Sequence, residues 1–190
     1  MLKSIILLMS VMVFAVGCAV SPQQVVVEPK SEATFAGSVA GTLISVTVRD
    51  NRGTSVLGNL GGTYSETSTL SSSNNVAQEL GALLNAKLTE AGYVITPNNA
   101  QFSLSVSLNE LAYEYVTEGL VRQVETVAEI AYRVETADGN SFREGRFRTP
   151  QTQPRATRPT SEENKVFLEE VLTASIDRML THRPLAEFMQ

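Results

Sequence analysis

Two side chains of this 190-residue chain are singular in type and could do chemistry: Cys18 is the one thiol and His182 the one imidazole. A thiolate can attack a carbonyl, hold a metal or carry an attached group, and an imidazole can move protons near neutral pH. Neither has the company such work needs. A Ser-His-Asp arrangement would have to use His182, which stands beside Arg183 at the end of an amphipathic segment, where a cation complements the carbonyl end of a helix. Metal centres of imidazole and sulfur need several such ligands. No catalytic residue, metal ligand or cofactor is therefore expected. Carboxylates are plentiful, and Glu110, Glu114, Glu118, Glu125 and Glu129 include pairs of the kind a hydrolase uses. Alternation along the surrounding residues puts Glu114, Glu125 and Glu129 on the polar face of predicted strands, where charges are simply hydrated.

Arg143, Arg146, Arg148, Arg155 and Arg158 fall within one short span of an acidic protein. They are the candidate partner-binding residues, a basic patch for an acidic partner, a lipid headgroup or a glycan. The plainer reading is edge-strand charge that discourages sheet-to-sheet aggregation. Tyr113 and Tyr115, two apart, share one predicted sheet face, with Arg122 expected opposite Tyr115 at a hairpin tip.

The surroundings of Cys18 decide its role. Lys3 supplies an early positive charge, and Ile5 to Val16 are apolar except for Ser10. That run is a signal-peptide core, too short for the roughly 20 residues a membrane-spanning helix needs. Ala15-Val16-Gly17-Cys18 resembles a bacterial lipobox. The resemblance implies cleavage between Gly17 and Cys18, with a covalent diacylglycerol on the thiol and an acyl chain on the new amino terminus. Each buried methylene contributes about 0.8 kcal/mol, so two or more chains hold a protein on a bilayer. Ala19, rather than aspartate, follows the cysteine, which by the same resemblance implies carriage to the outer membrane and a domain facing the periplasm.

Composition narrows the classes further. The chain carries 15 basic and 20 acidic residues, a formal net charge of −5. Loss of residues 1–17 removes Lys3 and deepens this by one, which argues against nonspecific nucleic-acid binding. With Cys18 acylated no thiol is left for a disulfide, so stability must come from packing. The remaining length suits one domain with its own core.

Three units are expected: a signal peptide over 1–17, an acylated cysteine with a flexible tether over 18–40, and a single α+β periplasmic domain over 41–190. Within the domain, Leu43 to Arg49 alternates as a half-buried strand, Asp50 to Gly53 turns, and Thr54 to Leu70 reads as a weak strand or mobile loop. Val76, Leu80, Leu83, Leu84 and Leu88 fall at helical spacing, predicting a helix over 75–91, with Asn75 as its cap and Gly92 at its end. Tyr93 to Ile95 resumes extended chain.

From Phe102 the apolar residues sit at even positions through Leu108 and at odd positions from Leu111, so one extra residue near Asn109 and Glu110 is required. A β-bulge supplies it. With a turn at Glu118-Gly119, Tyr113 then faces Val124, Leu108 faces Ala128 and Phe102 faces Val134. Asp138-Gly139-Asn140 turns the chain into a strand over 141–149. Phe142 and Phe147 differ in parity, predicting a second irregularity at Gly145. Pro150 to Pro159 reads as a linker. A helix over 161–183 follows, with Leu168, Val171, Leu172, Ile176 and Met179 on its buried stripe and Pro184 ending it. The expected architecture is a largely antiparallel sheet with a long bulged hairpin and two amphipathic helices packed on one face.

In this order the lipobox, "ISVTVRDNR", "LTEAGYVITPN", "SLSVSLNELAYEYVTEG", "ADGN" and the terminal amphipathic helix resemble the YajG family of bacterial lipoproteins. The resemblance implies an outer-membrane lipoprotein and transfers no catalytic residues. The function expected is a noncatalytic binding or adaptor domain, held on the membrane by its lipid, with an envelope protein as partner. The alternatives are a subunit of an envelope machine (flagellar, secretion or lipid-transport) and an envelope hydrolase.

Overall fold

The computed structural model describes residues 21–38, 40–62, 65–119 and 121–190. Cys18, Gly17 and the leader lie outside them. Among the described residues eight strands form one mixed sheet around a long hairpin, β6 (Phe102–Glu118) and β7 (Val121–Thr136). The bulge sits where parity demands it: Leu108 pairs with Ile130 and Glu110 with Glu129, leaving Asn109 as the extra residue. Leu104, Val106 and Leu108 before it, and Leu111, Tyr113 and Tyr115 after it, are all buried on one face.

The register differs from expectation by two residues. Tyr113 pairs with Thr126 rather than Val124, Leu108 with Ile130, and Phe102 with Thr136. Glu118 pairs with Val121, so the turn centres one residue later, with Gly119 at φ +59. Moving a turn by one residue moves the pairing by two, which preserves every side chain's face. Arg122 consequently pairs with Thr117, and Tyr115 with Val124.

The expected α+β class holds, and beside its long antiparallel ladders the sheet also contains parallel pairs, which makes it mixed. The far edge of β6 pairs in parallel with β2 (Leu43–Asp50), from Ile44↔Phe102 to Asp50↔Leu108, and then with β3 (Val56–Asn59) at Gly58↔Tyr113. Parallel pairing needs a long crossover. The chain between β2 and β6 supplies it, carrying β3, β4 (Thr69–Ser72), helix α1 (Val76–Glu90) and β5 (Val94–Ile95). The Gly- and Ser-rich stretch therefore holds two strands, with Leu57, Leu60 and Leu70 in the core. At Gly58 (φ +156) an added Cβ would fall 1.7 Å from the Tyr113 carbonyl oxygen.

β8 (Phe142–Pro154) absorbs the first half of the expected linker and shows no irregularity at Gly145, its register to β7 being unbroken. Backbone bonds Arg155 N–H to Arg122 O (2.8 Å) and Thr136 N–H to Ser141 O (3.0 Å) fix which residues of β8 point toward β7. By alternation these are the odd-numbered ones. Pro150 and Pro154 therefore turn their nitrogens to the free edge, where a missing N–H costs no ladder bond. Phe142 keeps its parity by lying on the outer face beneath the Arg133 guanidinium, 4.0 Å from the ring centroid. Gly145 is small because Tyr132 lies opposite, its ring 2.5 Å from where a Cβ would stand.

Both main helices cover the inner face. In α1 the Asn75 side chain accepts the Gln78 N–H at 3.2 Å, and Val76, Leu80, Leu84 and Leu88 are buried. Helix α2 (Ser161–Leu180) starts with a reciprocal Thr160–Glu163 capping box and buries its expected stripe. It ends three residues before Arg183. Pro184 then opens a further short helix, α3 (Arg183–Phe188), in whose first turn its missing N–H is not needed.

Much of the expected tether, from Gln23 to Gly37, is packed chain. β1 (Gln23–Val25) pairs in parallel with β4, and Val25, Val27 and Phe35 are buried. The segment then follows α2: the Glu169 carboxylate accepts the Glu28 N–H at 2.9 Å, Ser31 donates to Asp177 at 2.5 Å, and Leu180 O accepts the Ala36 N–H at 2.9 Å. Apolar residues too few for an independent element are enough to dock on an existing core.

The Gly58 contact is a direct test of β3–β6 pairing. Gly58→Ala is expected to cost about 3 kcal/mol, from backbone strain and overpacking together. Chemical denaturation of the variant against the parent measures it.

Candidate functional site

With the helices on one face, the other face of β2, β6, β7 and β8 is open. Ser103, Ser105 and Ser107 alternate with the buried Leu104, Val106 and Leu108, so the outer side of β6 is floored by small hydroxyls. A groove of about 590 Å³ crosses this face. Ser105, Ser107, Ala131 and Gly145 form its floor, Arg49 and Asn51 one wall, and Arg133, Glu144 and Arg146 the other. Sequence reasoning passed over Arg49, Asn51, the serines and Arg133. The signal was available in the serine alternation of β6, since unbranched small residues on the face opposite a core leave room.

The turn after β2 fixes one wall. Asp50 accepts from the Arg52 backbone N–H (3.0 Å) and from its guanidinium (2.9 and 2.6 Å), while Asn51 Nδ2 donates to Asn109 Oδ1 at 3.1 Å. The guanidinium of Arg52 beside Asp50 holds that carboxyl below its usual range, against the opposing effect of partial burial.

The five candidate arginines do not form one patch. Arg146 and Arg148 project on the outer face, where Arg146 meets Glu129 (3.4 Å) and Arg148 meets Glu110 (3.0 Å). Arg143 lies on the opposite side of the strand, 5.4 Å from the Phe188 ring centroid. Arg155 and Arg158 follow β8 at the hairpin-tip end, Arg155 pairing with Glu163 and Arg158 lying over the Tyr115 ring at 5.4 Å. Alternate residues of a strand point to opposite faces, so nearness in sequence scatters them.

The glutamates come together as cross-strand pairs, Glu110 with Glu129 and Glu114 with Glu125, all on the outer face. Arg148 and Arg146 compensate the first pair, and Asn109 Nδ2 also donates to Glu129 at 3.3 Å. Glu125 accepts from Gln123 at 2.6 Å. The side chain of Glu118 lies outside the described residues. His182 is not in the last turn of a long helix. It is the N-cap residue of α3, its ring 5.2 Å from Phe147 and 6.0 Å from Tyr132, so it packs as an aromatic. Tyr113 and Tyr115 both face the core. Burial raises the Tyr113 phenol above its ordinary value, and its hydroxyl has no partner. Among the described residues no group of His, Cys, Asp and Glu could hold a metal ion.

The groove thus has hydroxyls on its floor and guanidiniums, a carboxamide and the Glu144 carboxylate as its walls. The sequence pattern of an uncharacterized lipoprotein family matches residues 29–190. The chain belongs to that family. Membership implies attachment to an envelope membrane through lipid, and among the described residues no helix is long and apolar enough to cross a bilayer. No curated relative matches the chain in sequence.

Protein XCC0632 of Xanthomonas campestris shares the fold, with a TM-score of 0.53 at 11% identity over 88% of this chain and 99% of that one. Lipoprotein GNA1162 of Neisseria meningitidis is more distant, with a TM-score of 0.42 at 12% identity over 74% and 98% of the two chains. A minor lipoprotein of Acinetobacter baumannii has a TM-score of 0.40 at 13% identity over 77% and 92%.

Two substitutions test the electrostatics of this face. Asp50→Asn is expected to lower stability at neutral pH by about 1–3 kcal/mol, because the Arg52 side chain, only 6% exposed, loses the carboxylate that compensates its charge. The parent's advantage is full above the ordinary carboxylate range and disappears as pH falls through the depressed value, so denaturation curves of the two proteins should converge in acid. Glu114→Gln relieves a like-charge cross-strand pair and should stabilise by about 0.5 kcal/mol at low salt, the gain shrinking as salt is added.

Proposed function

We propose that the protein is a lipid-anchored outer-membrane lipoprotein of the YajG type, whose periplasm-facing domain binds an envelope partner without catalysing a reaction. The position of Cys18 carries this reading. It follows a signal-peptide core, sits in a lipobox-like stretch, and stands only five residues before Gln23, from which the chain is docked on the domain. Acyl chains on Cys18 would therefore hold the domain close to the bilayer rather than on a long leash. Ala19 supports the outer membrane as destination.

The open sheet face supports the binding role. Its groove presents donors and hydroxyls, and the glutamates at 110 and 129 elsewhere on this face are engaged by arginines. Partner contact is assigned to this face, including Arg146 and Arg148, in place of a single patch spanning all five arginines.

Two measurements check the reading. Metabolic labelling with a radioactive fatty acid should mark the parent and not Cys18→Ser; an unlabelled parent, or a labelled variant, contradicts the anchor. A photo-crosslinking residue at Ser105 should capture a second envelope protein in living cells, while the same probe at Val166, exposed on α2, should not. Identical adducts from both positions contradict the assignment of the groove.

A further inference from the structure

A second cavity, of about 620 Å³, opens at the hairpin tip and is lined by Gly62, Tyr115, Thr117, Arg122 and Arg158. No carboxylate is among these residues. Arg146, Arg148 and Arg155 each meet a glutamate, whereas Arg122 donates to the Ala156 carbonyl (3.2 Å) and Arg158 lies over Tyr115. Among the described residues neither has an acidic partner, and the two guanidiniums share one concavity with a threonine hydroxyl and a tyrosine edge. The exposed Glu66 and Glu162 stand outside the lining. Planar guanidiniums in pairs match the oxygens of a phosphate.

Strand register shows what this cavity is near. Gln23 pairs with Leu70, Leu70 with Gly58 and Gly58 with Tyr113, which puts Gln23 level with Tyr113. β1 runs antiparallel to β6 through these steps, so going back from Gln23 to Ser21 moves toward Tyr115 and the hairpin tip. Three further residues reach Cys18 and can span at most about 11 Å. The anchor point is thus tied to the end of the molecule that holds the cavity. Val121, 58% exposed, stands at the same tip beside Arg122.

We propose that this cavity binds the phosphate of lipid headgroups in the membrane that holds the acyl chains, fixing the domain tip-down on the bilayer. The proposal rests on the acylation of Cys18 given above. Arg122 and Arg158 clamp the phosphate, Thr117 donates to it, and Val121 enters the interface.

The test uses the mature protein purified from membranes, in phosphatidylglycerol vesicles and in micelles of an uncharged polyoxyethylene detergent. Amide exchange over residues 117–122 should slow by about tenfold or more in the vesicles relative to the micelles. Arg122→Gln with Arg158→Gln should abolish that difference with thermal melting unchanged, both side chains being exposed, while Arg146→Gln with Arg148→Gln should keep it. Equal exchange in vesicles and micelles overturns the proposal. So does full protection from inorganic phosphate added to the micelles, which would make this a site for free phosphate. Intact mass of the same sample separates the claims. An unacylated protein still protected through its two arginines upholds the cavity and removes the anchor. An acylated protein with an unprotected tip removes the cavity and leaves the anchor.

Discussion

A strand that carries apolar residues first at even and then at odd positions can bury them all only if one residue is taken out of the pleat between the two sets. Asn109 is that residue. Its side chain is tied on the outer face, accepting from Asn51 and donating to Glu129, so the extra residue has partners of its own. Without it, Leu111, Tyr113 and Tyr115 would turn to solvent and Glu110 and Glu114 to the core, since one step along a strand exchanges its faces. The bulge also divides the far edge of β6. Parallel pairing with β2 ends at Leu108, and β3 takes over at Tyr113, admitted by the missing side chain of Gly58.

From that arrangement comes the difference between the two sides of the sheet. The inner face is covered by α1 and α2 and by the amino-terminal segment, which closes the core with Val25, Val27 and Phe35. The outer face keeps its serines, glutamates and arginines, balanced across strands by Arg146–Glu129 and Arg148–Glu110. The free edge of β8 is blunted by Pro150 and Pro154, and Arg178 from α2 donates to the Arg148 carbonyl at 2.9 Å. Those features disfavour unspecific strand addition and leave the broad face open. The amino-terminal segment has a second consequence, because the pairing of β1 with β4 determines where the chain enters the domain.

Periodicity made the α+β class, both main helices, the Asn75 cap and the bulge readable before any coordinates. What could not be read depends on partners distant in sequence. Whether the turn centres on Glu118-Gly119 or one residue later shifts the whole register by two without altering any face, so hydrophobic pattern is blind to it. Parallel pairing of β2 with β6 leaves no local mark. Pro150 reads as a strand breaker unless one knows that its nitrogen faces the free edge. The packed segment from Gln23 to Gly37 has too few apolar residues to announce itself apart from the core it joins. The same limits apply to the site. Five arginines close in sequence are dispersed by strand alternation, while Arg122 and Arg158 meet only because the hairpin tip and the chain after β8 lie together.

The bulged register is tested most directly by backbone NOEs between β6 and β7 in the labelled protein. Contacts joining Leu108 to Ile130 and Leu111 to Ala128, with Asn109 unpaired between them, are the predicted result. Contacts joining Leu108 to Ala128, or an unbroken ladder running through Asn109, would contradict the account.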